Sequence, residues 1–168
     1  MAAGVAACAC LTLASSAFAN SSGATAPGPM ETSTATLNAD GTATPPADAP
    51  PEVVAAINAA NEIEDLPYEY GGGHKEDFTD NGYDCSGAVS YALHAAGMLD
   101  SPLDSSGFMK WGDRGRGSWI TVYTNPGHAY AVIAGLRWDT SMTDGDGPGW
   151  SEKKRKARGF KKRNWNGL

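Results

Sequence analysis

At 168 residues the chain can hold one domain of ordinary size, and the makeup of its first third excludes that stretch from the core. The acidic residues are scattered and no paired His or Cys spacing suits zinc, so neither a metal nor another cofactor is expected. The net charge is −6, yet eight of the thirteen basic residues crowd between Lys153 and Arg163.

The first nineteen residues carry no charged side chain and end in Ala17-Phe18-Ala19, the small-x-small pattern that signal peptidase accepts before Asn20. Residues 1–19 therefore read as a signal peptide, although the usual positive leader is missing and an unstructured tail is the alternative. Ser15 and Ser16 interrupt the apolar run before it reaches the roughly 20 residues that a bilayer span needs. Val5-Ala6-Ala7-Cys8 resembles a lipoprotein acceptor box with a short lead. Removal of this segment would take Cys8 and Cys10 with it and leave Cys85 as a lone thiol, either buried and inert or reactive.

Residues 20–50 are Ser, Thr, Ala, Gly and Pro with few large apolar side chains to offset the entropy of ordering, and they read as a disordered spacer. The domain is expected over 51–168. Pro51 suits the first turn of a helix, and Val53, Val54, Ile57, Ala60 and Ile63 recur at helical spacing through Glu64. Tyr68 to Gly73 then reads as an extended piece entering a flexible loop that runs to Tyr83. A second helix follows from the apolar set Ala88, Val89, Tyr91, Ala92, Leu93, Ala95 and Ala96, with Gly97 to end it.

That helix puts Cys85 at its N-terminus, where unpaired N–H groups and the positive end of the dipole favour a thiolate, the species that attacks a carbonyl carbon. A nucleophilic thiol needs a proton shuttle. His94 lies too far along the same helix to reach it and reads as a packing residue, while His74 sits in the loop, a poor platform for a base. His128 follows Asn125-Pro126-Gly127 and opens the strand 129–134, a rigid edge. Residues 119–123 and 136–140 read as two further antiparallel strands, and the hairpin through Gly135 would bring Asp139 level with His128, to accept its second ring N–H. A turn or strand-end carboxylate is the other reading of Asp139. Phe108, Trp111 and Trp119 occupy a Gly-, Asp- and Arg-rich connection. Core packing is expected of Trp119, and Trp111 could instead line a groove.

The residues now in view resemble the NlpC/P60 cell-wall peptidases, a group of papain-like thiol hydrolases. Pro67-Tyr68-x-Tyr70-Gly71-Gly72, Asp84-Cys85-Ser86-Gly87 and Gly127-His128 with its strand are similar to that family's motifs in order and spacing, over about Pro51 to Thr140. The resemblance implies an α+β fold with the nucleophile helix packed on a small antiparallel sheet. It also implies hydrolysis of peptide bonds in bacterial peptidoglycan stems, most often between D-glutamate and the diamino acid. Cys85 would be the nucleophile, His128 the base and Tyr68 a neighbour of the thiolate, with Asp84 and Ser86 helping to bind substrate. The family's third polar residue, often His, Asn or Gln, has no such match, and Asp139 stands in for it, with a charge that would raise the imidazole pKa. Amidase or acyltransferase chemistry on the same Cys and His, or wall binding without cleavage, are the alternatives. A monomer, secreted or wall-associated, is expected, with no nucleic-acid partner. The block from Lys153 reads as a solvated tail able to hold anionic wall polymers.

Overall fold

The computed structural model describes residues 1, 2, 4, 33–141 and 147–168. The expected signal peptide and the first part of the spacer lie outside the described residues, with Cys8 and Cys10. The chain divides into two units, Met1–Met30 and Glu31–Leu168, and the second holds every helix and strand among the described residues.

Residues 33–50 correct the spacer expectation. β1 (Thr36–Leu37) and β2 (Ala43–Thr44) form an antiparallel hairpin. Leu37 is the one large apolar side chain the hairpin packs on the core, and hydrogen bonds to its backbone supply the rest, which is why composition hid it. Asn61 accepts from the Ala43 amide (2.9 Å) and donates to its carbonyl (2.8 Å), the Ala35 amide donates to the Ala134 carbonyl (2.8 Å), and the small side chains of Ala35 and Ala43 are buried. Asn61 also accepts from Trp150 Nε1 (2.9 Å). Asn61→Ala removes all three bonds at a part-buried site and is expected to cost about 2–3 kcal/mol in urea unfolding and to expose the hairpin to proteolysis.

α1 (Pro51–Glu62) begins at the proline and buries Val53, Ala56, Ile57, Ala59 and Ala60 on one face. α2 (Cys85–Ala95) packs beside it and buries Ala88, Val89, Ala92 and Leu93. Four residues, α3 (Ser105–Phe108), precede the sheet. Its strands are β3 (Asp113–Arg114), β4 (Ile120–Asn125), β5 (His128–Ile133), β6 (Leu136–Asp139), β7 (Gly149–Ser151) and β8 (Lys161–Asn164). All neighbours pair antiparallel, in the order β3-β8-β4-β5-β6-β7. This is the α+β arrangement of a helix packed on an antiparallel sheet.

Alternation divides the central strands. Val122, Ala131, Ile133, Leu136 and Trp138 are at most 2% exposed and face the helices, and the Trp138 indole donates to the Ala88 carbonyl of α2 at 3.1 Å. His128, Tyr130, Arg137 and Asp139 fall on the opposite set of positions. Trp111 is also core: buried, with Nε1 donating to the Met98 carbonyl (3.3 Å) and its ring stacked on Trp165, it lines no groove.

The basic C-terminal segment is not a solvated tail. β8 inserts between β3 and β4, and Arg163 within it is buried against the Met109 carbonyl. A four-residue strand of Lys, Arg and Asn has no apolar alternation to mark it. Backbone pairing places it.

Candidate active site

α2 is fastened at its first turn. Asp84 is the N-cap of α2, and its carboxylate accepts from the Gly87 amide (2.8 Å), from Ser86 Oγ (3.0 Å) and from the Gly71 amide (3.2 Å). His74 Nε2 lies 3.0 Å from the same carboxylate. The Asp84 bond raises the His74 pKa above its ordinary value against the opposing effect of burial. Burial pushes the Asp84 carboxyl up, but His74 and the Gly87 amide outweigh it and hold it below the usual range. Asp84 and Ser86, expected to meet substrate, are 8% and 4% exposed and spend their polar atoms on this knot. Their observed part is to hold the start of the helix.

The loop 67–83, expected to be flexible, is tied down. The Tyr83 amide donates to the Pro67 carbonyl (3.0 Å), the Glu69 amide to the Tyr83 carbonyl (3.2 Å), the Asp84 amide to the Gly72 carbonyl (3.2 Å), and Tyr83 Oη to the Phe78 carbonyl (3.0 Å). The glycines make this approach possible. A Cβ on Gly87 would stand 2.0 Å from the Gly72 carbonyl oxygen, and one on Gly72 would stand 2.2 Å from that of Gly82. Tyr68, 43% exposed, is carried by this loop beside the thiol: burial first, then the charges of Cys85 and Asp84, raise its phenol pKa. His94 plays no part here, since its ring stacks on Phe78 at 3.9 Å and Nδ1 bonds the Leu99 carbonyl.

Cys85 is half-buried at the first position of α2 and has no disulfide partner among the described residues. His128, the first residue of β5, stands near enough for the thiol to raise its pKa. Its Nε2 meets Asp139, with Oδ1 2.8 Å away. The hairpin geometry is slightly different from the one expected. Ala134 and Gly135 both have positive φ (44° and 82°), as a tight two-residue turn requires, and the register Ile133↔Leu136, Ala131↔Trp138 continues to place Asp139 across from Tyr130. Asp139 therefore reaches His128 along the diagonal on one face, within the span of two polar side chains.

The Asp139 side chain is fully buried, and both its oxygens accept hydrogen bonds. Oδ1 also accepts from the Ser141 amide (3.2 Å), while Oδ2 accepts from Arg155 Nη1 (2.9 Å) and lies 3.8 Å from Arg137 Nε. Arg155 is fixed in turn by Ser141 Oγ (2.6 Å) and by the rings of Tyr130 and Phe160, each 5.6 Å from its guanidinium carbon. Arg155 and Phe160 were hidden in the supposed tail. They arrive through the short β7, and nothing local to residues 152–160 marks them as partners of a residue sixteen positions earlier.

Electrostatics follow from these bonds. Burial opposes protonation of His128, but the hydrogen bonds to Asp139 and Cys85 and their charges outweigh it, pushing the imidazole up to about 9. Burial also pushes Asp139 up, and His128 with Arg155 overcomes it, holding the carboxyl below its usual range. Arg155 Nη1, 3.3 Å from His128 Nε2, works against the imidazolium. An NMR titration of the His128 ring should have its midpoint near 9, and Arg155→Met should move it to higher pH. A thiol paired with an imidazolium that a carboxylate orients can attack an acyl carbon and return a proton to a leaving group. Among the described residues, no group of three or more His, Cys, Asp or Glu side chains is placed to hold a metal ion, and no helix is long and apolar enough to cross a membrane.

The architecture is similar to that of the P60 domain of an antigen from M. avium subspecies paratuberculosis, with a TM-score of 0.50 and 21% identity over 67% of this chain and 93% of that one. The fold is that of a P60 domain. No protein-family model and no curated protein matches the sequence.

Proposed function

We propose that the chain is an exported cysteine peptidase that hydrolyses peptide bonds in the stem peptides of bacterial peptidoglycan. The observation that carries this reading is the His128–Asp139 hydrogen bond beside the thiol of Cys85, which sits at a helix start on a P60 fold. The papain-like detail and the residue roles belong to the same proposal.

The Cys85 thiolate attacks the scissile carbonyl, and the resulting oxyanion meets helix-start amides. Gly87 and Ala88 donate to Asp84, which leaves the amides of Cys85 and Ser86 for the oxyanion. Losing such a donor costs roughly 3–4 kcal/mol of transition-state stabilisation. The imidazolium of His128 gives its proton to the departing amine as the carbon–nitrogen bond breaks, producing an acyl-enzyme. Neutral His128 then takes a proton from water, whose attack on the thioester frees the acid and restores the thiol. Tyr68, exposed beside Cys85, is the side chain placed to meet substrate.

A soluble disaccharide-tetrapeptide tests the assignment by mass spectrometry. The expected products are fragments divided between D-glutamate and the diamino acid. Release of the whole stem from the sugar would identify an amidase instead, and an intact substrate under conditions where Cys85 alkylates rapidly would refute the hydrolytic role.

A further inference from the structure

Nine of the thirteen basic residues border two cavities of the domain. The first, about 530 Å³, has Arg116, Arg137, Lys153, Lys154 and Arg155 on its walls against the single carboxylate of Glu152. The second, about 410 Å³, is lined wholly by Arg114, Lys161, Lys162 and Arg163. Arg114 and Arg116 are two residues apart on one segment, so the cavities adjoin along the chain. In a protein of net charge −6 this concentration of cations is a local field, able to attract and hold a multivalent anion.

Arg163 has a different part from its neighbours. It is 8% exposed, one Nη donates to the Met109 carbonyl, and its buried Nε does not reach the cavity, so it holds the wall in place. The exposed Arg114 and Lys161 and the half-buried Lys162 are the cations open to an oxyanion, and a guanidinium such as that of Arg114 binds phosphate through paired N–H groups.

We infer that these two cavities form a binding site for a phosphodiester-linked polyol or sugar polymer, which holds the enzyme on the wall. The occupant rests on the wall-hydrolase reading above, whereas the anion site does not. A polymer fits better than a single ion because the cations are spread over two adjoining cavities. A polymer without bases fits better than nucleic acid because aromatic faces are scarce beside the cations. The second cavity has none, in the first Tyr123 and Tyr130 stack on each other and leave only the half-buried Trp119, and the exposed Tyr68, Tyr70 and Trp165 border neither cavity.

The test uses the full chain carrying Cys85→Ala, so that binding is read without cleavage, with purified poly(glycerol phosphate) as the probe and an oligodeoxynucleotide of equal charge beside it. The comparison protein adds Arg116→Ser, Lys153→Ser, Lys154→Ser, Lys161→Ser and Lys162→Ser and leaves Arg155 and Arg163 in place. The expected result is binding of the polymer that weakens steeply with salt, at least tenfold loss in the five-serine protein with an unchanged melting temperature, and weaker binding of the oligonucleotide. Equal polymer affinity in the two proteins, or an oligonucleotide bound as tightly as the polymer, would overturn the proposal. The same five substitutions on the Cys85 parent should leave cleavage of a polymer-free muropeptide unchanged. Binding without any cleavage by that parent would retain the anion site and refute the hydrolase reading alone.

Discussion

Alanine at position 128 is expected to lower kcat/KM on a soluble stem peptide by about 10²–10⁴, the usual contribution of a positioned acid–base group. In the proposed mechanism the ring serves both halves of the reaction, as the acid for the departing amine and the base for water. With no imidazole beside the thiol, the variant should also react with iodoacetamide near pH 6 more slowly than the parent. The fold should survive, because His128 stands at the end of β5, its side chain 19% exposed, and its loss strips no apolar contact from the helix-facing side of the sheet. In the parent, hydrolysis should decline as pH rises through about 9, where the imidazolium that protonates the leaving group disappears.

Asp139→Ala is expected to damage stability as well as activity. The carboxylate is fully buried between His128 and Arg155, and its removal leaves two cations facing each other, 3.3 Å apart. Breaking a buried pair in this way costs about 3–5 kcal/mol, measurable as a drop in the urea midpoint. The pH dependence follows from the two shifts. His128 is raised from 6.5 to about 9, so its contribution is fully present below pH 6.5 and fades as pH rises through about 9. Asp139 is lowered from 3.8, so its contribution is present above that value and fades on further acidification. The stability gap between the parent and Asp139→Ala should be widest between those limits. Asp139→Asn, which keeps the shape, should recover part of the stability but little of the rate, since an amide cannot balance the imidazolium.

The parts of this fold that were legible in the sequence are those encoded by local pattern. The apolar spacing after Pro51, the helix following Cys85 and the alternating strands 120–125 and 128–133 all lie where periodicity and turn residues place them. The approach of Asp139 to His128 was legible from the hairpin through Gly135, although the register sets it two residues inside the level expected. What stayed hidden depends on partners distant in the chain. The hairpin at 36–44 is fastened by the side chain of Asn61, and β8 is a basic segment that backbone pairing alone holds in a sheet. Arg155 is the clearest case. Its bond to Asp139 decides how the carboxylate is presented to the base, yet in the sequence it is one cation among eight in the block from Lys153 to Arg163.

Asp84 and Ser86 show the converse. Their position beside Cys85 made them natural substrate contacts, but the first turn of a helix needs a cap, and a glycine loop crossing it needs an anchor. Those local demands consume their polar atoms. Tyr68, distant in sequence from Cys85, is exposed and coupled electrostatically to the thiol, which suits the substrate contact proposed for it.

The central claim is that Cys85 cuts the wall with His128 as its partner. Clearing of purified peptidoglycan in a zymogram tests it most directly, with the parent, Cys85→Ala and His128→Ala run side by side. A cleared band from the parent and none from either variant is the predicted result, and equal clearing by all three would contradict it.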